Sequence, residues 1–157
     1  MAGVANPFFV EVTSAGVTTS ITTYTSGDQL GTEITVATGG GASCYCVVDS
    51  ITLIDYAKVL GAVDAFIFRA STTPASDNAA NSWSDADMDK LIAGWYLPIG
   101  APIASANNAT ISIPNLLLHA RADASANLYL DLVTRSANAV FGAASDIRIK
   151  VGGFYFS

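Results

Sequence analysis

Apolar and polar residues alternate with a period of two along much of this chain, the pattern of strands that bury one face. Ile147, Ile149 and Val151 alternate with Asp146, Arg148 and Lys150, and Leu128, Leu130 and Leu132 alternate with Tyr129, Asp131 and Val133. Residues 17–24 are Thr-rich and β-branched and read as an exposed or edge strand. Ile34, Thr35 and Val36 continue the pattern after the turn residues Ser26, Gly27 and Asp28. Residues 44–54 are long enough for a central strand bent near Asp49 and Ser50. Residues 63–69 are almost continuously apolar, as expected of a strand covered on both faces. Ile111 to Ile113 and Leu116 to Leu118 are separated by Pro114, which marks a bend or a strand edge.

Turn signals divide these runs at Gly39–Gly41, Thr73-Pro74, Asn107-Asn108, 123–127 and Gly142. Eight or so short strands at this spacing predict an all-β, antiparallel β-sandwich of the jelly-roll or Greek-key kind. Residues 1–9 are expected to form an N-terminal arm and residues 10–157 a single sandwich domain. One short helix is predicted over 83–94. Ser84 is its N-cap, with Asp87 three residues on as a capping box, and Trp83 is placed to staple onto Met88. Lys90 falls near its end, and Gly94 is placed to stop it.

Composition narrows the function classes. The 157 residues are 51% hydrophobic and only 13% charged, about half the usual ~25%. That excludes a disordered tail and a coiled coil, and the length allows a core that needs no staples. Seven Lys and Arg stand against thirteen Asp and Glu, a net charge of −6. A phosphate-binding surface needs a basic face, so no nucleic-acid partner is expected. Residues 91–120 are the longest uncharged stretch, but Pro98, Pro102 and Pro114 break it and no membrane span is expected. The N-terminus lacks the charged and apolar regions of a targeting signal.

Candidate chemistry is sparse. Cys44 and Cys46, two apart on a strand, are poorly placed to bridge each other and read as buried structural thiols. Asp85, Asp87 and Asp89 mimic the start of a calcium loop, yet Lys90 and Tyr96 stand where that loop needs Gly and Glu. Gly39–Gly41 lacks the Gly-Lys-Ser/Thr ending of a phosphate loop. His119, the single histidine, has no Gly-x-Ser-x-Gly elbow to serve and reads as a strand-end residue. No catalytic residue, metal or cofactor is therefore expected, and the chain does not read as an enzyme.

The surplus is aromatic. Phe8 and Phe9 open the chain, Trp95 and Tyr96 sit mid-chain, and Phe154, Tyr155 and Phe156 close it. Adjacent strand residues point to opposite faces, so the last three cannot all enter one core. These seven are the candidate interface residues, because large exposed apolar patches mark interaction sites. They predict a homo-oligomer. A second possibility uses Trp95 and Tyr96 as stacking platforms in a carbohydrate- or receptor-binding module.

Several blocks resemble small virion proteins of tailed bacteriophages, encoded near the major capsid protein. They are Tyr24-Thr25-Ser26-Gly27-Asp28-Gln29-Leu30-Gly31 with Ile34-Thr35-Val36, and Leu53-Ile54-Asp55-Tyr56-Ala57-Lys58 with Asp64-Ala65-Phe66-Ile67-Phe68. Asn81-Ser82-Trp83-Ser84-Asp85-Ala86-Asp87, Leu128-Tyr129-Leu130-Asp131-Leu132-Val133-Thr134-Arg135 and Ser145-Asp146-Ile147-Arg148-Ile149 complete the pattern. The resemblance implies a capsid decoration, or cement, protein. Such a protein is a β-sandwich, commonly a trimer, assembled in the host cytoplasm onto the outside of a head. There it bridges capsomers of the major capsid protein. The family carries no catalytic residues.

Overall fold

The computed structural model describes residues 4–12, 19, 21–98, 103–104, 108–143 and 146–156. The strands are β1 (Ala5–Val12), β2 (Ile34–Ala37), β3 (Tyr45–Asp55), β4 (Val63–Phe68), β5 (Leu91–Leu97), β6 (Ile103–Ala104), β7 (Ala109–Ile113), β8 (Leu118–Arg121), β9 (Asn127–Thr134) and β10 (Ile147–Phe156). A first sheet runs β1-β10-β3-β7-β6, with β8 also on β3, and a second runs β2-β9-β4-β5.

All the strand pairs are antiparallel, and they nest. β1 pairs with β10, β2 with β9, β3 with β7 and β8, and β4 with β5. The chain is in effect one long hairpin with its tip at β4–β5. It is rolled so that β10 also meets β3 and β9 also meets β4. With β7 and β8 counted as one interrupted strand, this is the eight-position jelly roll. The alternative of a simpler Greek key is thereby resolved.

The core lies between the sheets, where alternation places the inward residues. Ile147, Ile149 and Val151 of β10 face Leu128, Leu130 and Leu132 of β9 and Val63, Ala65 and Ile67 of β4 across a dry interior. Cys46 is part of this core, and Cys44 lies buried beside it, neither bridged. The Cys46 Sγ donates to the Ala120 carbonyl. Burial, and the neighbouring Cys44, push its thiol up to about 11, so it stays protonated and inert.

The bend expected near Asp49 is a β-bulge. Gly152 lies opposite Ser50 and Gly153 opposite Val48, leaving Asp49 as the extra residue. Its carbonyl accepts the Leu116 N–H at 2.8 Å, in the gap where Pro114 separates β7 from β8. One irregularity in β3 thus answers the other in its neighbour.

The helix and the N-terminal arm differ from expectation. The helix is only α1 (Asp85–Met88). Ser84 does cap it, its Oγ accepting the Asp87 N–H at 3.2 Å, and Lys90 bonds Asp87 at 2.8 Å. Beyond Asp89, however, the edge of β4 captures the chain: the Arg69 N–H donates to the Lys90 carbonyl, and Leu91 pairs with Phe68 to begin β5. Gly94 is therefore in mid-strand, because the Phe66 ring lies over it; a Cβ there would meet Phe66 Cδ1 at 2.8 Å. Trp83 does not staple onto the exposed Met88 but packs edge-on against Phe66, with centroids 4.7 Å apart. The N-terminal arm is also shorter than expected, since Ala5–Val12 pairs along its whole length with β10. The Thr-rich stretch 17–24 falls partly outside the described residues, and Tyr24 lies outside the named strands, in an isolated bridge to Ala139.

Candidate functional site

The two sheets differ in what covers their outer faces. On the first sheet, the register sets side chains in rows across β1, β10, β3 and β8. Ala5, Phe156, Tyr45 and Arg121 form one row, and Pro7, Phe154, Val47 and His119 the next. Phe9 follows opposite Gly152. Phe9 and Tyr45 are each 66% exposed, Phe154 42% and Phe156 41%. This half of the face is a contiguous aromatic surface. The Arg121 guanidinium lies 5.6 Å from the Tyr45 ring centroid and borders it with a cation–π contact.

The other half of the same face is polar. Glu11 lies opposite Lys150, 3.5 Å away, and Thr52 and Ser112 join hydroxyls at 2.7 Å. Exposed ion pairs of this kind contribute little stability. They mark a wetted end beside the apolar one.

Of the seven expected interface residues, Phe9, Phe154 and Phe156 come together here. Phe8 and Tyr155 point the other way, Phe8 into the core and Tyr155 against it. Strand parity separates them, as expected for adjacent positions. Tyr45 was missed, although its alternation with the buried Cys46 carries the signal.

Trp95 and Tyr96 lie on the second sheet and do not act together. Trp95 faces inward opposite Ala65 and packs against the core. Tyr96 faces outward, 58% exposed, beside an open cleft of about 720 Å³ lined by Ser26, Gly61, Ala62, Arg135 and Ser136. Arg135 Nε bonds Asp64 Oδ2 at 2.6 Å, and both line a second cleft that Tyr96 also borders. The paired stacking platform expected from sequence is thus a single ring next to planar polar groups.

Elsewhere the outer face of the second sheet is covered by the connection from β4 to β5. Trp83 lies on Phe66 and Phe68, and its Nε1 donates to Asp131 Oδ2 at 3.1 Å. Asp131 belongs to the outward set of β9 and was expected to be solvated, but it is fully buried. Thr72 Oγ1 lies 3.0 Å from Asp131 Oδ2 and 2.8 Å from Glu33 Oε1. Burial raises the Asp131 carboxyl to about 6; Thr72 and Trp83 pull it down, while the charges of Glu33 and Asp87 push it up.

Among the described residues no group of three or more His, Cys, Asp or Glu is placed to hold a metal, and no helix is long and apolar enough to cross a membrane. His119 is exposed on the aromatic face of β8. Arg69, Lys90 and Arg121 line a separate cleft with Asp123. Each is already held, Arg69 by the Asp89 carbonyl, Lys90 by the Ser71 carbonyl and Asp87, and Arg121 by the Ser43 carbonyl.

No protein-family model and no curated protein matches the chain. Among solved structures it is similar to the X-ray structure of tomato aspermy virus, with a TM-score of 0.43 and 8% identity over 98% of this chain and 78% of that one. It is also similar to turnip yellow mosaic virus, with a TM-score of 0.37 and 10% identity over 99% of this chain and 95% of that one. The virus-like particle of the extra small virus of the giant freshwater prawn Macrobrachium rosenbergii gives 0.36 and 9%, over 99% and 80%. These superpositions are loose, so the assignment of the jelly roll rests on the strand order and register of the chain itself.

Proposed function

We propose that this chain is a structural protein of a virus particle, working through the aromatic face of its first sheet rather than through catalysis. The observation that carries the reading is the row-by-row register of Phe9, Phe154, Phe156 and Tyr45. It lays four exposed rings on one sheet surface, where contact with protein removes them from water. Such contact contributes about 25 cal/mol per Å² of apolar surface covered. The resemblance to tailed-phage virion proteins supports the finer form: a decoration protein that binds the outside of a head, as a trimer, over the major capsid protein. Binding only to the assembled shell would stabilise it by mass action.

Native mass spectrometry at micromolar concentration, together with binding to heads that lack this protein, tests the reading. A homo-oligomer, or tight binding to heads, is expected. Phe154→Lys and Tyr45→Lys should each weaken association at least about tenfold, the scale of one lost interface anchor, while the melting temperature stays near that of the parent. A monomer that binds no heads overturns the proposal.

Tyr96 favours a second reading, a glycan-binding module, because an exposed ring beside Arg135 and Asp64 is a suitable stacking platform for a sugar. On glycan arrays this reading expects binding that Tyr96→Ala removes and Trp95→Phe keeps. Silence on the arrays ends it.

A further inference from the structure

We propose that Asp131, Thr72, Glu33 and Trp83 form a proton-operated latch that holds the β4–β5 connection on the outer face of the second sheet. Thr72 Oγ1 stands within hydrogen-bond distance of both Glu33 Oε1 and Asp131 Oδ2, yet a hydroxyl has one hydrogen to give. The Thr72 N–H and the Ser71 hydroxyl also bond Glu33, which fixes that carboxylate as an acceptor. With Asp131 ionised, one carboxylate oxygen faces a Thr72 lone pair. With a proton taken from solvent onto Asp131, Asp131 donates to Thr72 Oγ1, Thr72 donates to Glu33, and the chain closes.

Burial points the same way. Asp131 is fully buried, and its Oδ1 has no hydrogen-bond partner among the described residues. An ionised carboxylate there leaves a charged acceptor unsatisfied, which is costly in a dry site. The groups facing it are Glu33, from the segment before β2, and Asp87 of α1, which Lys90 pairs. From β4 it meets Phe66, its direct partner across the strands, and from the connection it meets Trp83 and Thr72. Both acids oppose ionisation.

What the proton holds is the Thr72 end of the connection. The middle of the connection, between Thr72 and Trp83, is fastened independently by backbone bonds: Asn78 N–H to the Gln29 carbonyl, Gln29 N–H to the Ala79 carbonyl, and Asn81 N–H to the Gly27 carbonyl. None of these titrates. Ionising Asp131 therefore loosens Thr72 and the start of the connection locally, without unfolding the sandwich, while the carboxylate goes on accepting the Trp83 Nε1–H bond. The folded carboxyl holds its proton up to about pH 6, against an ordinary value of 3.8. Its contribution is thus fully present below about pH 4 and is lost as pH rises through 6.

The chain has two tryptophans, so in a Trp95→Phe background the fluorescence reports Trp83 alone. It should titrate with a midpoint near 6. Asp131→Asn should flatten the titration, and Glu33→Gln, which removes an opposing charge, should move the midpoint to lower pH. Should Asp131→Asn fail to fold, the Glu33→Gln shift decides. Amide exchange at Thr72, corrected for the intrinsic pH dependence, should show less protection at pH 7.5 than at pH 5, with backbone amides of β10 unchanged. A flat titration, a midpoint unmoved by Glu33→Gln, or equal protection of Thr72 at both pH values overturns the latch.

Discussion

Gly153→Ala is expected to destabilise the protein by about 3 kcal/mol or more, at or beyond the upper end of ordinary overpacking. A Cβ at this position would lie 2.1 Å from the Val47 carbonyl oxygen and 2.7 Å from Phe8 Cζ. The aromatic ring could rotate away, but the carbonyl belongs to β3 beside the Asp49 bulge and has nowhere to go. Its strand is held on the other side by β7 and β8. Gly153 also sits between β1 and β3 in the centre of the first sheet, so relieving the contact means shifting the register of two neighbours. Urea unfolding checks this, with the midpoint falling and the slope unchanged. A variant within about 0.5 kcal/mol of the parent would show that the bulge adapts, contrary to the close approach seen here.

The second large effect is expected at Phe68→Ala, at about 3–5 kcal/mol. Phe68 is fully buried although it points outward from β4, because Trp83 and the β4–β5 connection cover it. Removing the ring opens a cavity directly beneath Trp83 and beside Tyr129, its partner across β9. Phe9→Ala provides the control: Phe9 has similar chemistry but stands in solvent, so its loss should cost less than about 0.5 kcal/mol. The pair separates rings that hold the fold from rings available to a partner. Equal effects at the two positions would contradict the division between a covered and an open sheet face.

Those two residues also show where the sequence was legible. The continuous apolar run of β4 announced a strand covered on both faces, and the alternation of Ile147, Ile149 and Val151 announced one covered on a single face. Both came out as read because the side-chain period of a strand is local. Asp131 did not, since the residues that cover it, Thr72 and Trp83, lie 59 and 48 positions earlier in the chain, and alternation cannot report a cover that comes from elsewhere. The capping signal at Ser84 was likewise true, but it set only where α1 begins. The length of the helix was decided by the exposed edge of β4, a tertiary competitor for Leu91–Leu97. For the aromatic face, parity separated Phe154 and Phe156 from Tyr155, but which set turns inward depended on a register that strand pairing fixed. Tyr45 joined the face only through that pairing.

The position of β10 has a consequence for how the protein is made. Ile147–Phe156 is the tenth strand in order, yet it occupies the inside of the first sheet, with β1 on one side and β3 on the other. Among the described residues β1 pairs with no other strand, so it must wait for the much later β10 to be made before it pairs. The hairpin of β4 and β5, by contrast, needs only neighbouring chain. Synthesis therefore delivers the second sheet's tip early and the first sheet's centre late, leaving Phe8, Val10 and the inner face of β3 without cover in the interval. Long-range closure of this kind places β-sandwiches among the slower folders, at roughly milliseconds to seconds. Nascent copies are consequently most prone to stick to one another just before residues 147–156 emerge.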